Sequence, residues 1–167
     1  MKLETDRLTL KELNESHTED ILHIRSNEVT NQYVKRRSPK TNYDALEFIL
    51  HIKKETQYKK VAFWGISYKN SWNLIGTICL WNFSPDKKTA EVGYELLPDY
   101  HRKGIMSEAL NAVLDYGFKE LQLQKIIAIT SQFNENSKGL LLKHNFVLED
   151  QKDEHNPDNI IFGLTRD

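Results

Sequence analysis

The stretch "ELLPDYHRKGIMSEAL", residues 95–110, sets His101, Arg102, Lys103 and Gly104 between a strand-like run and the start of a helix. The first backbone N–H groups of a helix have no internal partner and carry partial positive charge. A glycine there lets a ligand approach the main chain closely. The turn is therefore chemically fit to hold a phosphate or pyrophosphate, with His101, Arg102 and Lys103 adding charge at its rim. The plain alternative is a solvated basic turn whose glycine serves geometry alone. Neither the P-loop lysine pattern nor the dinucleotide glycine triplet is present.

A second constellation lies just upstream. Glu91 and Glu95 are four apart on a strand and so face one side, with Val92, Tyr94 and Leu96 on the other. Paired carboxylates on a central strand suit general-base chemistry. Exposure, or pairing with neighbouring lysines, is the alternative. Glu154 and His155 sit in the loop "DQKDEHNPDN". Histidine has the right unperturbed pKa for a base, although most loop histidines are ordinary.

The elements that position these groups follow from periodicity. "ETDRLTLKEL" alternates as a strand, and Ser16 with Glu19 gives a capping-box signature for a first helix. After the loop around Pro39, a second helix begins near Tyr43, capped by Thr41 or Asn42, with Leu46, Ile49 and Ile52 on one face. "VAFWGISY", "LIGTICLWNF" and "TAEVGYELL" read as an antiparallel meander. A helix from Gly104 to about Leu121 follows, then the buried strand "KIIAITSQF". A short helix starts near Asn134 and ends at Asn145, which tolerates the left-handed conformation usual for glycine. "FVLEDQ" and "IIFGLT" are the last strands. The order β-α-α-β-β-β-α-β-α-β-β predicts a mixed α/β domain spanning residues 1–167 around one sheet.

Bulk properties narrow the function classes. A net charge of -1 supplies no global field for nucleic acid or membrane, so any basic site is local. No apolar run is long enough to span a bilayer, and charges interrupt the N-terminal stretch where a signal peptide would need an apolar core. The single cysteine, Cys79, lies in an apolar strand and reads as a small hydrophobe. The expectation is a cytoplasmic protein without disulfides or structural metal. Trp64, Trp81 and Phe83, on the meander, read as core.

With these pieces in order, the chain resembles the GNAT superfamily of acetyl-CoA-dependent N-acetyltransferases, in its ribosomal-protein acetyltransferase (RimJ/RimL-like) branch. "ETDRLTLKEL" looks like that branch's opening, and "AEVGYELLPDYHRKGIMSEAL" like its cofactor segment. "NENSKGLLLKHNF" is similar to its Asn-x-x-Ser…Leu-x-x-Gly-Phe segment. The family turn is Gln/Arg-x-x-Gly-x-Gly/Ala, and here His101, Gly104 and Met106 stand at its marked positions. His101 departs from the usual Gln, Arg or Trp. Met106 replaces a small residue, so its side chain must point away from the phosphates. Asn145 replaces glycine.

The resemblance implies a central, mostly antiparallel sheet of about seven strands flanked by about four helices. It implies that "TAEVGYELL" and "KIIAITSQF" splay apart to take pantetheine, paired with the main chain of Glu95, Leu96 and Leu97. The diphosphate would lie on the N–H groups of Arg102, Lys103, Gly104, Ile105, Met106 and Ser107, with His101 beside it. Asn134 would contact the pantetheine or acetyl region. Lys138 or Lys143 would reach the adenosine phosphate, unless both are solvated. A neutral amine would attack the thioester directly, with no metal. The tyrosine acid common in the superfamily is Leu142 here, whereas Ser137 matches the branch's serine and would hydrogen-bond the leaving thiolate. A local bond at the helix start is the alternative for Ser137.

For the base, Glu95 stands first, with Glu91, Glu154, His155 or water as alternatives. An α-amine, with a pKa of about 8 against about 10.4 for lysine, is already partly neutral. The segment holding Tyr33, Lys35, Arg36 and Arg37 would shape the acceptor pocket, and its basic residues disfavour polycationic amines. The acceptor would be a protein N-terminus or a small-molecule amine, and the enzyme a monomer or homodimer. A competing reading is a catalytically inactive acyl-CoA-binding regulatory domain. Another, a basic nucleic-acid module, lacks an extended basic stripe.

Overall fold

The computed structural model describes all 167 residues. Eight strands form one sheet in the order β1-β2-β3-β4-β5-β6-β8-β7. They are β1 (Leu3–Glu4), β2 (Leu8–Lys11), β3 (Ala62–Tyr68), β4 (Gly76–Trp81), β5 (Thr89–Leu96), β6 (Lys125–Ser131), β7 (Val147–Lys152) and β8 (Asn159–Thr165). The strand beyond the seven expected is β1, a two-residue piece that pairs Leu3 with Leu10. The helices are α1 (Thr18–Ser26), α2 (Asn42–Gln57), α3 (Ile105–Asp115) and α4 (Glu135–Lys143).

Alternation on β3 sorts the core. Trp64 and Ile66 join the larger apolar cluster, under α3. Phe63 joins the smaller one, with Ile21, Ile24, Ala45 and Ile49 of α1 and α2. The two helical layers thus cover opposite faces of the sheet. Trp64 is 1% exposed and packs edge-on to Tyr116. Trp81, expected in the core, is 45% exposed at the end of β4. Burial pushes the Cys79 thiol up to about 12, so the chain has no thiolate nucleophile.

Local signals explain the ends. Thr41 Oγ1 accepts from the Asp44 N–H at 3.2 Å and caps α2. The capping box before α1 is not Ser16 with Glu19. Asn14 accepts from the Ser16 N–H, and His17 Nδ1 accepts from the Asn14 N–H, closing a 3-10 turn over Glu15–His17. Beyond Asp115 the third helix widens into a single π turn, Tyr116–Glu120. There a Cβ on Gly117 would stand 3.0 Å from Ile126 Cδ1, so the glycine lets this turn lie close on the sheet without displacing the side chains beneath it. Asn145 ends α4 at φ 67, as its residue type predicts. No helix is long and apolar enough to cross a membrane.

Candidate active site

Every strand pair is antiparallel except β5–β6, which α3 connects in parallel. That pairing is short: Thr89 with Lys125, Ala90 with Ile126 and Glu91 with Ile127. Beyond it β5 stays on β4 as far as Leu96, and β6 stays on β8 as far as Ser131. Each strand keeps its outer neighbour while the two part, so the sheet opens as a wedge. The Leu97 N–H donates to Ile75 at 2.9 Å. Alternation then turns the main chain of Glu95 toward β4 and that of Tyr94 and Leu96 into the wedge.

At the wide end of the wedge the chain turns sharply. Pro98 opens a 3-10 turn, Pro98–Tyr100, and Arg102 and Gly104 both take left-handed conformations, φ 61 and 73. Gly104 is the N-cap of α3, and no side chain caps this end. The first amides of α3 therefore remain available to a ligand. A Cβ on Gly104 would meet only Arg7 Nη2, at 3.4 Å, so the approach from outside is clear. Met106 turns its side chain into the core, 9% exposed, as its position in the turn demands.

Two side chains fix the turn. His101 Nε2–H donates to the Leu96 carbonyl at 2.8 Å and ties the turn to the end of β5. Arg7 Nη1 donates to the Lys103 carbonyl at 2.9 Å, and its Nε to Glu108 Oε2 at 2.7 Å. Glu108 also accepts from the Arg7 N–H at 2.8 Å. Arg7 was invisible to sequence reasoning as a brace, because its partners lie about a hundred residues away.

A cavity of about 540 Å³ occupies the wedge. His101, Arg102, Gly104, Ile105, Met106 and Ser107 line it, as do Leu96, Asn134, Ser137 and Lys143. Tyr33 and Val34 reach it from the connection between α1 and α2. Two expected cofactor contacts stand outside. Leu97 is buried in the smaller core with its amide committed to β4, and the Lys103 ammonium lies 5.8 Å from the Tyr100 ring centre. Lys138 donates to Glu135 and to the Gln132 carbonyl instead of lining the cavity.

Asn134 caps α4, its Oδ1 accepting from the Ser137 N–H at 3.2 Å. Ser137 is 7% exposed, and its hydroxyl lies 2.7 Å from Tyr94 Oη. Burial pushes the Tyr94 phenol up to about 12, so it stays protonated at neutral pH. Sequence reasoning placed Tyr94 on the face away from the glutamates but gave it no role. The hint was a polar tip on an otherwise apolar strand face. Leu142, at the superfamily tyrosine position, is 59% exposed and away from the cavity.

The carboxylates divide. Glu95 lines the cavity, but Arg36 grips it through Nη1 at 2.5 Å and Nη2 at 3.2 Å, and Arg25 Nη1 lies 3.6 Å away. Both carboxylate oxygens of Glu95 thus already accept from Arg36. Glu91 is 8% exposed and lies outside the cavity, where burial raises its pKa and Asn82 partly offsets the shift. Glu154 and His155 are exposed in the β7–β8 turn, also outside it.

Below the turn, Ser107 Oγ lies 2.8 Å from His144 Nε2. Burial lowers the pKa of His144, with Lys143 adding to the effect, and burial likewise lowers that of His17 beside Lys11. The unfolded chain then binds more protons near pH 6, so this stability is present above about 6.5 and lost as pH falls through the lower folded values. Urea midpoints should fall between pH 7 and 5, and His144→Gln should flatten part of that slope. An unchanged slope would remove His144 from the linkage.

The acetyltransferase (GNAT) domain family matches residues 7–147. The chain belongs to that family. GNAT enzymes are acetyltransferases, and acetyl-CoA is their acetyl donor. Among relatives, the uncharacterized N-acetyltransferase YoaA of Bacillus subtilis (strain 168) is 35% identical over 147 residues, covering 88% of this chain and 83% of YoaA. Among solved structures, the ribosomal-protein-S5-alanine acetyltransferase from Vibrio fischeri superposes with a TM-score of 0.85 at 23% identity, covering 100% of this chain and 97% of that one. The microcin C7 self-immunity acetyltransferase MccE, solved with acetyl-CoA and AMP, gives 0.82 at 23% identity, covering 97% and 94%. At such identities the two structures show the shared GNAT fold.

Proposed function

We propose that this GNAT enzyme moves an acetyl group from acetyl-CoA directly to the α-amine of a small molecule or protein N-terminus in the cytoplasm. One observation carries the reading: the open edge of β5, the uncapped start of α3 and the Ser137–Tyr94 pair converge on a single cavity. Uncapped amides opening a helix suit a diphosphate, and an unpaired strand edge suits the amides of pantetheine, so the residues present fit the donor. Bound there, acetyl-CoA supplies an activated thioester whose carbonyl an amine attacks.

The chain's own groups have separable tasks. The N–H groups of Arg102 and of Gly104 to Ser107 hold the diphosphate, and His101 and Arg7 keep the turn in shape for it. The Tyr94 and Leu96 main chain aligns the pantetheine arm. Asn134 uses Oδ1 to cap α4 and has its Nδ2 left to donate. Tyr94 donates to Ser137 Oγ, and the Ser137 proton is then directed at the departing sulfur. A donor that itself accepts a hydrogen bond is the stronger for it.

The amine needs little help. Arg102 and Lys143 line the cavity, and Arg25 and Arg36 stand behind Glu95, so positive charge around the site disfavours an ammonium there. An α-amine, with its pKa of about 8, loses its proton to water under those conditions.

Ser137→Ala should lower kcat roughly 10²-fold and leave the Kd for acetyl-CoA within about twofold, as read by thiol release over an amine and peptide panel and by calorimetry. Tyr94→Phe should lower kcat roughly tenfold through the same hydrogen bond. Equal losses in rate and affinity would reassign Ser137 to cofactor binding.

A further inference from the structure

Four large apolar side chains line the cavity yet stay exposed: Val29 at 52%, Tyr33 at 37%, Val34 at 48% and Phe133 at 59%. Three come from the connection between α1 and α2, and the fourth from the connection between β6 and α4. Apolar residues scattered singly over a surface call for no account, but a group of them around one concave site fits an apolar ligand. The nucleotide end of the donor does not explain them, since its polar partners are offered by the turn at Gly104.

Charge narrows the ligand further. Only two acidic side chains line the cavity, Glu95 and Glu135. Glu95 is bound by Arg25 and Arg36, and Glu135 by Lys138 at 3.1 Å. Glu95 has both oxygens taken by Arg36, and Glu135, 79% exposed at the rim, already shares its charge with Lys138. Arg102 and Lys143 add like charge to the same lining. A polycationic amine is therefore repelled, and a single amine next to a hydrocarbon or aromatic group is accommodated.

We propose that the acceptor is a monoamine whose α-amino group adjoins an apolar side chain, leucine- or phenylalanine-like, seated against Tyr33, Val34 and Phe133. This rests on the acetyl-transfer reading and specifies its acceptor. A free amino-acid derivative and a peptide N-terminus share that chemistry.

The test measures thiol release from acetyl-CoA with the amides of Phe, Leu, Gly, Asp and Lys, with spermidine, and with hexapeptides beginning in Phe or Asp. The Phe and Leu amides should exceed the Gly and Asp amides and spermidine by about tenfold or more in kcat/KM. Phe133→Ala and Tyr33→Ala, checked for folding by circular dichroism, should each move the Phe-to-Gly ratio toward one. A Phe peptide better than Phe amide identifies a chain terminus as the source, and equal rates identify a free amine; both sustain the proposal. Spermidine or the Asp amide matching the Phe amide overturns it, as does a ratio unmoved in both variants. Absence of thiol release with every amine, despite measurable CoA affinity, overturns acetyl transfer itself and this inference with it.

Discussion

Gly104→Glu should raise the Kd for acetyl-CoA by about 10²-fold or more and leave the fold intact. Two effects add. Gly104 sits at φ 73, where a side chain brings strain of about 1 kcal/mol or more. The new carboxylate would also project beside amides whose use is to receive negative charge, and would compete with the diphosphate for them. Gly104→Ala separates the two. Its Cβ would find only Arg7 Nη2 at 3.4 Å, so it adds strain without charge and should weaken binding about tenfold at most. Calorimetry with acetyl-CoA reads both, and circular dichroism checks the fold. Unchanged affinity in the glutamate variant would show that the diphosphate does not lie at this helix start.

The turn could be read from sequence because everything that makes it is local. Pro98, the glycine and the following helix signal are consecutive, and their conformations follow from residue type. The same holds for Thr41 at the start of α2 and Asn145 at the end of α4. Strand alternation correctly separated the glutamate face of β5 from the Tyr94 face. What alternation cannot reveal is which partner arrives from elsewhere. Glu95 meets Arg36 from 59 positions away, and Tyr94 meets Ser137 from 43 positions away. Arg7 reaches the turn across 96 positions. Likewise, whether the Leu97 amide faces the wedge or β4 depends on the β4–β5 register, which no local pattern encodes. The groups that hold Glu95 were therefore not legible locally, because a carboxylate's surroundings are set by long-range neighbours.

Those neighbours make Glu95 a position where a substitution should harm stability strongly. Its side chain is 13% exposed, and those of Arg25 and Arg36 are 15% and 16%. Arg36 Nε is already buried without a partner. Burial lowers the Arg25 pKa while Glu95 raises it, so the carboxylate offsets desolvation there. Arg25 also lies 3.9 Å over the Phe48 ring, which ties the cluster to the core beneath α2. Glu95→Ala leaves two guanidinium groups facing each other with no counter-charge. Stranding buried charge in this way costs about 3–5 kcal/mol. For a chain of this length that corresponds to a fall in Tm of about 6–20 °C. Adding Arg36→Met should recover part of the loss, because one stranded charge is then gone. A general base would behave differently: its removal would spare Tm and abolish the acid limb of the kcat/KM profile against pH. A Tm within about 2 °C of the parent, together with a lost acid limb, would return Glu95 to proton transfer and leave the arginines as its tuning groups.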